Sequence, residues 1–170
     1  RTIFNHESPP RMRHAELEPA EPLSEETYAP GGRTALLDAV GYTIDRMGER
    51  FDDLPEEEKP SDVLVAIITD GKENASEEYD RAQIEERIRE QEQQWGWDFV
   101  YIGAGVGDFA DADAMGVADD ARSNPDRDHE GLREAYDQVA AASANVRSDG
   151  SPGDFQDGGE LDAGPDEGNE

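Results

Sequence analysis

Val63-Leu64-Val65-Ala66-Ile67-Ile68-Thr69-Asp70-Gly71 is the stretch on which the fold turns. Six apolar residues follow one another without alternation, and the chain then changes character within three residues. A strand with one wet face alternates apolar and polar side chains, whereas a strand covered on both faces does not. The stretch therefore reads as a strand buried on both faces, as in a parallel sheet covered by helices.

Upstream of it, Leu36, Leu37, Val40, Ile44, Met47, Phe51 and Leu54 recur at spacings of three and four. That spacing predicts an amphipathic helix that stops before Pro55. Further upstream, Thr2-Ile3-Phe4 is a short β-type run, Pro9-Pro10 bars a helix, and Arg11 to Leu17 reads as an edge strand. Tyr28-Ala29-Pro30-Gly31-Gly32 is a turn or loop with wide backbone freedom. Downstream, Asp80 with Gln83 three residues later predicts a capped helix whose inner face carries Ile84, Ile88 and Trp95. Phe99-Val100-Tyr101-Ile102 is a second buried strand. A tight loop over Gly103 to Gly107 and a short helix over Asp108 to Met115 follow it. A last helix runs from Glu130 to Val146, with Leu132, Tyr136 and Val139 expected inward. Strands alternating with helices define an α/β fold, a Rossmann-like three-layer sandwich with a largely parallel sheet.

The 170 residues make room for one domain of ordinary size, here placed over 1–146. Residues 147–170 hold eight acidic residues, one basic residue and six glycines, with almost nothing to bury. They are expected to form a disordered acidic tail. The net charge is −28, from 43 Asp and Glu against 15 Lys and Arg. Such a charge repels nucleic acid and anionic membranes, so neither is an expected partner. Only Lys59 and Lys72 are lysines; the other basic residues are arginines. We read the excess acid as a surface suited to high ionic strength, where salt screens self-repulsion. The absence of cysteine excludes disulfides, thiolate metal sites and a cysteine nucleophile. No apolar run approaches the ~20 residues of a membrane span, and a cytoplasmic protein is expected.

In open parallel sheets, ligands bind at the carboxyl ends of the strands. Asp70 stands there, as the first charge after the apolar run. Taken alone, an aspartate before glycine caps its own turn more often than it holds a metal. Thr34 opens the first long helix, where a threonine can serve as N-cap. Taken together, Gly31-Gly32-Arg33-Thr34-Ala35-Leu36-Leu37-Asp38-Ala39 and Ile67-Ile68-Thr69-Asp70-Gly71 resemble the von Willebrand factor A-type (VWA) family. Tyr28-Ala29-Pro30, Asn74-Ala75-Ser76 and Trp97 to Ala104 extend the resemblance through most of residues 1–120.

The resemblance implies a binding module rather than an enzyme. It implies a metal-ion-dependent adhesion site for a divalent cation, usually Mg²⁺. Thr34 would be the hydroxyl ligand and Asp70 the acidic one, in loops shaped by Gly31, Gly32 and Gly71. Mg²⁺ takes oxygen ligands and keeps several waters, so an acidic side chain of a protein ligand can fill an open position. The family's Asp-x-Ser-x-Ser loop occurs nowhere in residues 1–170. The resemblance therefore implies an N-terminally incomplete domain without its first strand, and an incomplete metal site.

Gly103-Ala104-Gly105-Val106-Gly107 is the runner-up, as a dinucleotide-binding turn of an α/β enzyme. The sixth position of that pattern wants Gly or Ala and holds Asp108, so a structural turn is the preferred reading. His6, His14 and His129 show no metal-ligand spacing, and Glu77, Glu78, Asp80, Glu85 and Glu86 read as a solvated face. The remaining alternative is a truncated piece without activity of its own.

Overall fold

The computed structural model describes residues 33–107 and 109–153, of Asp149 the backbone only, and the backbone of 2–5 and 8–12. The expected features at Arg13 to Gly32, including Gly31 and Gly32, and the tail from Asp154 onward lie outside these residues. The chain divides into two units, Arg1–Pro60 with Gly71–Arg87 and Ser61–Asp70 with Ile88–Glu170.

The first unit holds a hairpin and a long helix. β1 (Thr2–Asn5) pairs antiparallel with β2 (Ser8–Met12), in a two-stranded sheet of its own. β2 begins before the expected edge strand and includes Pro9 and Pro10. Proline lacks the N–H of a ladder, and a two-stranded ribbon tolerates it because each strand is an edge. α1 (Leu36–Asp52) follows the predicted spacing, with Leu36, Leu37, Val40 and Ile44 buried. It ends before Pro55, and a 3-10 turn at Glu56–Glu58 continues the chain. Gly41 lets α1 lie against an aromatic ring: a β-carbon there would fall 2.7 Å from the ring of Tyr79.

α2 (Arg81–Trp95) begins in one unit and ends in the other. The expected capping box is present: the Asp80 N–H donates to Gln83 Oε1, and the Gln83 N–H donates to Asp80 Oδ1, each at 2.9 Å. Ile84 and Ile88 are fully buried, but Trp95 is 63% exposed. Burial fades along this face toward the C-terminus of the helix, so the last residue of the stripe is not core.

The second unit carries the α/β architecture. β3 (Val63–Thr69), β4 (Trp97–Gly103) and β5 (Arg122–Ser123) form an open, all-parallel sheet in that order. β3 pairs with β4 in register from Val63 against Trp97 to Thr69 against Gly103. β5, a two-residue strand, has no apolar signal; its Arg122 is buried, with its guanidinium donating to the Val117 carbonyl and to Asp113. A short helix, α3 (Ala110–Met115), ends at Gly116 in the left-handed region.

α4 (His129–Asp149) runs three residues past the expected end at Val146 and stops at Gly150, also left-handed. Its inward face includes Val139, as expected, but not Leu132 or Tyr136. Ala135 and Ala142 pack with Val100 and Ile102, and Leu64, Ala66, Ile68 and Val139 close around them. Leu132 and Tyr136 are 45% and 52% exposed. Small side chains let the helix approach the sheet closely, and the bulkier ones stay partly in solvent. No described helix is long and apolar enough to cross a membrane.

Candidate functional site

In the first unit, the segment at Thr34 and the loop that begins at Gly71 are bound to each other. The N–H of Thr34 donates to Asn74 Oδ1, and the N–H of Asn74 donates back to the Thr34 carbonyl, each at 3.0 Å. Gly71 lies against the same threonine: a β-carbon there would fall 2.7 Å from Thr34 Oγ1. Glycine is required at 71 by this close approach, not by a positive φ.

Thr34 does not cap α1. Ala35 occupies the N-cap position and makes no side-chain hydrogen bond there. A helix start leaves backbone N–H groups without intrahelical partners. Here the other loop satisfies two of them. The Leu37 N–H donates to Glu73 Oε2 at 3.0 Å, and the Asp38 N–H donates to Ser76 Oγ at 3.1 Å. The Ser76 hydroxyl in turn donates to Glu73 Oε2 at 2.7 Å, while Glu73 Oε1 accepts from the N–H groups of Ala75 and Ser76.

Asp38 returns the favour from the first turn of α1. Its carboxylate accepts from the N–H groups of Glu77, Glu78 and Tyr79, each at 2.9 Å. The result is a reciprocal clasp, with each segment supplying the acceptors that the other needs. Burial pushes the Glu73 carboxyl up, but its hydrogen bonds to Ser76, Leu37 and Ala75 outweigh burial, and the net shift is downward.

Beyond the clasp, Tyr79 donates from its hydroxyl to Asp45 Oδ2 at 2.6 Å. Asp45 also pairs with Arg87, whose guanidinium lies over the Tyr79 ring at 5.1 Å. The carboxylate of Asp45, with burial, pushes the Tyr79 phenol up to about 12.

Asp70 belongs to the second unit. Its carboxylate accepts from Arg127 Nη2 at 2.7 Å, and both side chains are largely exposed, at 70% and 63%. The sequence reading did not include Arg127, whose partner lies 57 positions away. Glu73 and Asp38 were missed as well, because long-range hydrogen bonds leave no periodic trace in a sequence.

As ligands for a hard cation, the Thr34 hydroxyl and the Asp70 carboxylate have suitable chemistry. The acids Asp38 and Glu73 accept backbone N–H groups of the clasp. Among the described residues, no group of three or more His, Cys, Asp or Glu side chains is placed to hold a metal ion.

The Gly103–Gly107 turn directs its amides into protein. Ala104, Gly105 and Val106 donate to the carbonyls of Thr69, Pro125 and Gly103. Gly105 and Gly107 have positive φ, 66° and 79°. A phosphate-binding turn needs such amides turned toward its ligand. Glu77, Glu78, Asp80, Glu85 and Glu86 are all exposed, as a solvated face would be.

No family model, curated protein or solved structure matches the chain.

Proposed function

We propose that the chain is a VWA-like protein-binding module, not an enzyme, with an adapted surface for high salt. The observation that carries the proposal is the paired hydrogen bond between Thr34 and Asn74. It ties Thr34 of the first motif to Asn74, in the loop whose Asn74-Ala75-Ser76 extends the resemblance. Thr34 and Asp70 are the residues that would hold Mg²⁺. Bound there, the ion would offer an open coordination position to an acidic side chain of a protein ligand. Thr34 and the Gly71 backbone keep one donor loop fixed, and Arg127 neutralises Asp70 when no cation does. The same reading puts the module in the cytoplasm, where an acid-rich surface would meet salt that screens it.

The test is a thermal melt by circular dichroism in molar KCl, with and without millimolar Mg²⁺, on the wild type and on Asp70→Ala and Thr34→Val. A ligand that binds only the native state raises Tm by mass action. A rise in the wild type that both substitutions abolish supports the reading. A cooperative melt indifferent to Mg²⁺ removes the metal from it.

A further inference from the structure

The glycine turn after β4 has no part in the function proposed above, yet its geometry is demanding. Gly105 has a φ of 66°, in a region that side chains other than glycine rarely adopt. A β-carbon there would also fall 2.7 Å from Arg127 Cβ and 3.5 Å from its Cγ and Cδ. The Gly105 N–H donates to the Pro125 carbonyl at 3.0 Å, which fastens the turn to the loop before Arg127. On the other side of Arg127 stands Asp128, whose Oδ1 accepts the Gly131 N–H at 2.8 Å and caps α4. The stem of Arg127 is therefore seated on Gly105, with its backbone tied down before and after it.

The seat lies within the second unit, where ligands meet a parallel sheet. Asp70, the Gly103–Gly107 turn and the Arg127 loop follow the carboxyl ends of β3, β4 and β5 in turn. The guanidinium itself is exposed. Its one hydrogen bond among the described residues runs from Nη2 to Asp70 Oδ2. A guanidinium carries five N–H donors in a planar fork that fits a carboxylate. Asp70 shows which group this fork receives and leaves further donors to a second carboxylate.

We propose that Arg127, seated on Gly105, binds an aspartate or glutamate side chain of the partner protein, with Asp70 as the internal competitor for the same guanidinium. The net charge of −28 would repel an acidic partner in dilute buffer. In about 1 M salt the screening length is about 3 Å, so distant charges drop out and the contact at the guanidinium decides. The proposal rests on the protein-binding reading above, names the residue that meets the partner's acid, and needs no metal.

The test follows the Arg127 side-chain Nε–H by nitrogen–proton NMR, on the full chain in molar KCl without Mg²⁺. Arg127→Lys assigns the signal. The probe is a short peptide of glycine and serine around a single glutamate, with both ends blocked; its twin carries glutamine. The glutamate peptide is expected to move the Arg127 signal and to leave in place that of Arg89, an exposed arginine of α2. The glutamine peptide is expected to move neither. Asp70→Asn, at an exposed side chain, removes the competitor and is expected to tighten binding by roughly three- to fivefold, the size of an exposed ion pair. An Arg127 shift no larger than that of Arg89, equal shifts from the two peptides, or an affinity unchanged by Asp70→Asn overturns the proposal. Because Mg²⁺ is left out, failure here is read separately from failure of the metal response.

Discussion

Glu73 caps a helix to which it does not belong: its Oε2 accepts the N–H of Leu37 at 3.0 Å, across 36 positions of sequence. The same carboxylate holds three further donors, from Ala75 and Ser76. It sits at the positive end of the α1 dipole, where an anion is favoured. Replacing it removes an acceptor and leaves the Leu37 N–H without its partner. Glu73→Ala is expected to cost about 1–2 kcal/mol, the range for a lost N-cap. The sign with pH follows from the lowered carboxyl. A group depressed in the fold stabilises it above its unfolded value of about 4.5 and loses that contribution as pH falls through the lower folded value. The wild type is therefore expected to lose stability below about pH 4.5 more steeply than Glu73→Gln. Chemical denaturation of both proteins over that window checks it, and parallel curves would contradict it.

Gly41 and Tyr79 pose a contest between two effects in α1. Alanine in a helix interior is favoured over glycine by about 1 kcal/mol. A β-carbon at 41 would lie 2.7 Å from the Tyr79 ring, which is held by Asp45 and Arg87 and cannot easily move. Overpacking of this kind costs about 1–3 kcal/mol, so Gly41→Ala is expected to destabilise on balance. In a Tyr79→Ala background the ring is gone, and the same change is expected to become neutral or stabilising. Denaturant midpoints of the four proteins in this cycle give the answer directly.

Tyr79 also supplies a spectroscopic marker. Its phenol is raised to about 12, first by its hydrogen bond to Asp45 and then by burial. A phenol raised in the fold stabilises it below the unfolded value of about 10, and that contribution disappears as pH rises through the folded value. Ultraviolet titration is expected to show an ionisation step at about pH 12 that Tyr79→Phe removes. A late step that survives the substitution would belong to another tyrosine.

What was legible in the sequence was local. The Val63–Ile68 run forms the parallel strand it predicts, although only Ile67 of its six residues is fully buried, and the Asp80–Gln83 box forms as read. The parallel sheet followed from them. The face of α4 was not legible, because Leu132 and Tyr136 have the right spacing and Ala135 and Ala142 the right size. Hydrophobicity alone ranks the larger residues first; close approach to a sheet ranks the smaller ones first. β5 was invisible because its buried residue is an arginine, satisfied by the Val117 carbonyl. The clasp was invisible because its parts lie about forty positions apart, as Asp38 and Tyr79 do.

The α4 assignment makes its own prediction. Ala135→Leu and Ala142→Leu insert volume where the helix meets Val100 and Ile102, and each is expected to cost about 1–3 kcal/mol. Leu132→Gln and Tyr136→Gln change exposed positions and are expected to stay within about 0.5 kcal/mol. The reverse ranking in thermal melts would restore the face expected from hydrophobic spacing.

On the proposed reading, the Asp70–Arg127 pair connects stability to Mg²⁺ binding. Both side chains are mostly in water, so their pair is worth about 0–1 kcal/mol and less in high salt. Arg127→Ala is accordingly expected to leave the melt almost unchanged in the absence of divalent cation. A cation that takes the proposed place at Asp70 competes with this arginine for the carboxylate, so removing it is expected to tighten Mg²⁺ binding by no more than about fivefold, the equivalent of the pair. Titration of Mg²⁺ into wild type and Arg127→Ala, read as the shift in Tm, tests the competition. An equal response in both proteins would mean that Asp70 is not where the cation binds. A weaker response in Arg127→Ala would mean that the arginine supports the site instead of competing for it.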